Sequence, residues 1–317
     1  MLRELLDKWW GAIAGLAFIA VILVATVVYP AWKSAVDRNR DARADPHHIA
    51  GNLYFVGAPD VTSFLITAPE GDVLIGGGWE NSAHKIIDNI AQLGFDIRNV
   101  RALIASGGHL DDAGGLAELQ RASGAQLWAG ENVADAIASG GGATASVSDI
   151  EDKWLAWAHI TRYPAARVDH RVKAGETIHV GSLAFTAHIT TNALDCTTWT
   201  FIVRERNPAI APGTPRELHV VHRCNLGVRA NPSHSEAERY ANRRADFERG
   251  FDDLRQLPVD IWLTPQGRDY GRFRKYDASL HATDPVAPFI DPEGYRKSID
   301  DAEDTLHKVI AERQQRR

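Results

Sequence analysis

The run Val100-Arg101-Ala102-Leu103-Ile104-Ala105-Ser106-Gly107-Gly108-His109-Leu110-Asp111-Asp112-Ala113-Gly114-Gly115 changes character twice. Its first six residues are nearly all apolar, as a strand buried on both faces is. Ser106 to Gly115 is polar and glycine-rich, with one His, two Asp and almost no bulk. Leu116-Ala117-Glu118-Leu119 then opens a helix. Between a strand and a helix, a loop of that make-up is where α/β proteins place their chemistry.

The flanking sequence keeps the same rhythm. Upstream, Asn52–Val56, Thr62–Thr67 and Asp72–Ile75 read as strands, separated by the turn residues Gly57-Ala58-Pro59-Asp60 and Pro69-Glu70-Gly71. Ile86, Ile87, Ile90 and Leu93 are spaced for a helix that Gly94 closes. Downstream, a helix over 114–122 leads to a strand at Ala125–Ala129. Strands follow within Val168–Ile189, at Thr198–Arg204, at Leu218–Val221 and at Val259–Thr264. Ser235 to Gln256 reads as one charged helix that buries Tyr240, Phe247, Phe251 and Leu254. Asp291, Pro292 and Glu293 form a helix start, and Tyr295, Ile299, Ala302, Leu306, Val309 and Ile310 make its apolar stripe. Trp154 and Trp157 read as packing residues.

Net charge is −6 over 317 residues, and no basic, aromatic-studded stripe occurs, so nucleic acid is not an expected partner. Trp9 to Trp32 holds no charged residue over 24 positions, enough to cross a bilayer as a helix, and has aromatic residues at both ends. Residues 1–32 are therefore expected to be an uncleaved membrane anchor, with a cleaved signal as the alternative. Residues 33–45 read as a charged tether and 46–317 as the folded domain. The charges flanking the span would on their own place its C-terminal side inside. Cys196 and Cys224 are the two cysteines, and they could pair.

Several phrases together resemble one family. They are Phe64-Leu65-Ile66-Thr67 with Pro69-Glu70-Gly71, Leu93-Gly94-Phe95, Gly114 to Leu119, Cys196-Thr197-Thr198-Trp199-Thr200, and Pro288 to Tyr295. In order, from about residue 46 onward, they are similar to the third subclass of metallo-β-lactamases, zinc enzymes exported to the periplasm. The resemblance implies an α+β fold, an αββα sandwich with its site at one edge. It also implies a periplasmic domain anchored in the inner membrane, or secreted to the periplasm after signal cleavage, against the weak charge signal.

In that family the loop reads His-x-His-x-Asp-His, and two more His come from later turns. Zinc takes imidazole and carboxylate ligands, and two zinc ions clamp the attacking hydroxide. Laid on this chain, the pattern puts Gly107 at the first His, His109 at the second, Asp111 at the Asp and Asp112 at the third His. Asn192 and Gln266 stand at the two remaining His, and Gly76 stands where an Asp would orient a ligand from behind. His109, Asp111 and Asp112 are thus the candidate metal residues.

Each has a plainer structural role: a loop hydrogen bond for His109 and Asp111, and a helix cap for Asp112. His188 and His222 could face the old pocket or be ordinary satisfied polar groups, and no base beside either cysteine marks a nucleophile. The expected function is a non-catalytic binding protein on a hydrolase scaffold, taking a small molecule or a protein at the sandwich edge. No cofactor is expected beyond zinc at low occupancy. The alternative is a hydrolase with a mononuclear or metal-free site.

Overall fold

The strand ending at Ala105 is an interior strand of a seven-stranded sheet, and its residues sort by parity. In a computed structural model, which describes residues 15–28, 44–141, 162–189, 196–206 and 215–315, β1 is His47–Ala50, β2 Leu53–Phe55, β3 Phe64–Ile66, β4 Asp72–Ile75, β5 Val100–Ala105, β6 Gln126–Gly130 and β7 His170–Val172, hydrogen-bonded in that order. The pairing is antiparallel through β4 and parallel from β4 to β7. Phe64, Ile66, Val73, Ile75, Ala102 and Ile104 pack on one face of this sheet, and Leu65, Leu74, Leu103 and Ala105 on the other. Side chains alternate across a strand, so a sheet covered on both faces needs apolar residues at both parities.

The second face is covered by α1 (Ala83–Gln92), α3 (Leu116–Ser123) and α4 (Ala134–Ala138), through Ile86, Ile90, Leu116, Leu119 and Ile137. A four-residue turn of helix, α2 (Leu110–Ala113), precedes α3. The first face meets a five-stranded sheet, ordered β12 (Ile261–Leu263), β11 (Arg216–His222), β10 (Thr198–Glu205), β9 (Leu183–His188) and β8 (Thr177–Val180). Phe185, Trp199, Phe201 and Val220 lie in the same core as Phe64 and Ile104. That core continues under α5 (His234–Asn242), α6 (Arg244–Arg255) and α8 (Pro292–Gln315) by way of Tyr240, Phe247, Phe251, Tyr295 and Leu306.

The charged segment expected as one helix is two, α5 and α6, broken where Arg243 leaves helical geometry (φ −118°, ψ 22°). Ser233 caps α5 with a capping box through Glu236, a signal present in the sequence. The C-terminal helix starts as read, with the Gly294 N–H donating to Asp291 Oδ1 at 3.0 Å. Two elements carried no clear pattern: β1, and α7 (Arg272–His281), whose Arg272 and Lys275 are buried.

The chain divides into two compact units, residues 1–42 and 43–317. In the first, residues 15–28 are helical and present Leu16, Phe18 and Val21 to the exterior. Among the described residues no helix is long and apolar enough to cross a membrane. The expected span, Trp9–Trp32, extends past those residues at both ends, and residues 33–43 of the tether lie outside them, as do Trp154, Trp157 and Asn192.

Candidate functional site

Several loops converge where β4 and β5 end. Gly78 bridges to Ala113, Gly107 to Cys196, and Val61 to Gln266. The Thr197 N–H donates to the Ser106 carbonyl at 2.7 Å, and the Thr62 N–H to the Pro265 carbonyl at 2.9 Å. These loops bring Gly76, Gly107, His109, Asp111, Asp112 and Gln266 to one edge of the sandwich.

Gly107 and Asp112 explain each other. A Cβ built on Gly107 would stand 2.7 Å from Asp112 Oδ2, so the Asp112 carboxyl occupies the room a side chain at 107 would need. Asp112 is buried inside α2 and does not cap it, contrary to expectation. Burial, with the Asp111 charge adding to it, pushes the Asp112 carboxyl up to about 8, against a backbone hydrogen bond at Gly107 that pulls the other way. Its surroundings therefore favour the neutral acid over the carboxylate.

Asp111 accepts a hydrogen bond from Gln266 Nε2 at 3.2 Å, and Gln266 Oε1 accepts one from Arg268 Nη2 at 3.2 Å. A neutral amide thus stands between a carboxylate and a guanidinium. His109 precedes α2, exposed, and makes no capping bond. Gly76 takes φ +83°, and a Cβ there would lie 2.9 Å from the Thr62 carbonyl. An aspartate at this position would be strained as well as crowded, so the backbone itself is shaped for glycine.

The two histidines held in reserve do not join the site. His188 Nε2 lies 2.8 Å from Thr200 Oγ1 across the β9–β10 ladder. His222 is fully buried, with Nδ1 2.8 Å from Ser106 Oγ and its ring edge-on to Phe64. Burial, helped by the Arg223 charge, pushes its imidazole down to about 3. Cys196 and Cys224 form a disulfide, one of the two states the sequence left open.

Two supports of the loop had no signal in the sequence. Tyr163 donates its hydroxyl to the Gly108 carbonyl at 2.6 Å. Asn132 Nδ2 donates to the Cys196 carbonyl at 3.0 Å. Both come from distant segments, and neither residue type implies such a partner. Among the described residues, Glu248, Glu303 and His307 have ligand atoms within 4.8 Å of one another. They sit on α6 and α8, however, and Arg244 and Arg255 already pair with the two carboxylates.

Two face-to-face sheets with outer helices, and polar loops gathered at one edge, define an α+β sandwich of the αββα type. A family model described as the metallo-beta-lactamase superfamily matches residues 56–197. The Rm3 metallo-beta-lactamase is 29% identical at a TM-score of 0.72, covering 88% of this chain and 98% of its own. BJP-1, a subclass B3 metallo-beta-lactamase of Bradyrhizobium japonicum, is 25% identical at 0.70, covering 87% and 97%. A Cronobacter sakazakii metallo-beta-lactamase described by its HARLDQ motif is 25% identical at 0.72, covering 86% and 99%. Over residues 56–197, and in its fold as a whole, the chain is similar to the metallo-β-lactamase superfamily.

Proposed function

We propose that this protein keeps the superfamily scaffold without its dizinc hydrolysis, and uses the sandwich edge to bind a small molecule or a protein. One observation carries the reading: the Asp112 carboxyl fills the space beside Gly107, so one ligand position has no donor and its neighbour is turned inward. Zinc needs deprotonated carboxylates and neutral imidazoles converging at about 2.0–2.2 Å. His109 and Asp111 supply two such groups. Gly107 supplies none, Asp112 is a buried acid, and Asn192 and Gln266 offer neutral amide oxygens better suited to hard cations. This donor set does not fit two zinc ions, and no step is routed through them.

A second reading has one observation in its favour. The Cronobacter protein is described as a metallo-beta-lactamase although its motif, HARLDQ, also departs from three His around the Leu-Asp pair. On that reading His109 and Asp111 hold a single metal for an altered hydrolase. Calorimetric titration of the full chain with zinc, beside a β-lactam hydrolysis assay, separates the two. Silent titration and no turnover support the binding protein. One tight equivalent supports the hydrolase.

The same proposal places the domain in the periplasm, anchored in the inner membrane through the N-terminal segment. The apolar run from Trp9 to Trp32 and the disulfide support it, since disulfides persist in oxidising compartments. Protease digestion of the domain in spheroplasts but not in intact cells is the expected result. Protection in both would refute the placement.

A further inference from the structure

The positions where the family would place metal ligands come from three stretches of sequence, of which 107–112 and the turn at 266 lie among the described residues and 192 does not. If metal does not draw these together, the protein's own bonds must. We propose that the Cys196–Cys224 disulfide is the clamp of this edge, making the site sensitive to redox state and indifferent to metal. The inference rests on the proposed absence of dizinc binding.

Cys196 is a junction. Its backbone bridges to Gly107, its carbonyl accepts from Asn132 Nδ2, and the next residue donates to the Ser106 carbonyl at 2.7 Å. Cys224 lies just past the end of β11, and its N–H donates to Thr198 Oγ1 at 3.2 Å. Both cysteines are buried, at 5% and 2% exposure, and the link joins residues 28 apart. It closes the end of the β10–β11 ladder beyond the last pair, Trp199 with His222. His222 in turn meets Ser106 at 2.8 Å. One covalent bond therefore holds the ladder end against which Ser106 and Gly107 are fastened. The remaining ties of the loop are non-covalent, among them Gln266 to Asp111 at 3.2 Å and Tyr163 to the Gly108 carbonyl at 2.6 Å.

Opening the clamp is a two-electron step. A dithiol attacks one sulfur through a mixed disulfide and closes to its own cyclic disulfide, passing two electrons and two protons to the protein. Two thiols remain, at Cys196 and Cys224. Because both sulfurs are buried, the attack waits on local opening of the ladder end.

The test is amide hydrogen exchange on the full chain, oxidised, dithiol-reduced and as the Cys196→Ser/Cys224→Ser variant, each with and without a zinc chelator. The expected result is about tenfold faster exchange over 105–113, 196–198 and 222–227 in the reduced and variant proteins. β1 to β3 and α8 should be unchanged, and the chelator should have no effect. Unchanged exchange over 105–113 on loss of the bond overturns the clamp. So does equal acceleration in β1 to β3, which marks a general stabiliser. Acceleration by the chelator alone in the oxidised protein overturns the metal-free reading instead, a separate failure.

Discussion

The inter-sheet core and the loop edge of this molecule obey different rules. In the core, Phe64, Ile104, Phe185 and Trp199 keep the alternation and volume that two stacked sheets require. At the edge the contacts are few and polar: Asp112 fills the room at 107, and Gln266 reaches Asp111. Scaffold stability comes from apolar area buried by strands. Metal chemistry comes from a handful of loop side chains that contribute little to that burial. One can change while the other stays, so activity has to be argued from the site and not from the fold.

The comparison breaks most visibly in the core. Trp199 is fully buried and its Nε1 donates to the Ala105 carbonyl at 3.1 Å. Trp199→Ala should cost about 3–5 kcal/mol in urea denaturation, from lost area, a cavity and an orphaned carbonyl. A cost near that of a surface change would mean the two sheets are not packed as described.

Acid should reach the core next. His47 stacks on Tyr276 with ring centroids 3.9 Å apart, and burial pushes its imidazole down to about 4. The unfolded chain binds that proton near pH 6.5 and the folded one only near 4, so stability is full above 6.5 and falls as pH drops between those values. His47 alone accounts for about 3 kcal/mol by pH 4. His47→Phe should flatten this limb in thermal melts run from pH 7 to 4. An unchanged slope would contradict a neutral buried His47.

Edge substitutions should be milder. Gly107→Ala puts a Cβ 2.7 Å from Asp112 Oδ2. It should cost about 1–2 kcal/mol, and Gly107→Ala/Asp112→Ala less than Gly107→Ala alone, because the clash is then gone. Strict additivity would show that the two positions do not share one space. Gln266→Ala should cost about 1 kcal/mol, the worth of a hydrogen bond to a charged group at a partly exposed position.

The same division decides what could be read from sequence. Strands β3 to β6 and helix α8 were legible because burial writes a period of two or 3.6 into the residues themselves. The interruption at Arg243 was not, since the apolar positions on either side continue one pattern. At the edge, the identities of Gly107, His109, Asp111, Asp112 and Gln266 could be read, but their relations could not. The inward turn of Asp112, the Gln266–Asp111 bond and the Tyr163 prop join residues 5, 155 and 55 positions apart. No local pattern encodes such distances. The pairing of Cys196 with Cys224 likewise became definite only once β10 and β11 were laid side by side.

Metal stoichiometry of the full chain, expressed with zinc and measured by elemental mass spectrometry after desalting, tests the central claim most directly. The account predicts far less than one zinc per chain and no β-lactam turnover above buffer in the same sample. One or two tightly held zinc ions together with turnover would contradict it.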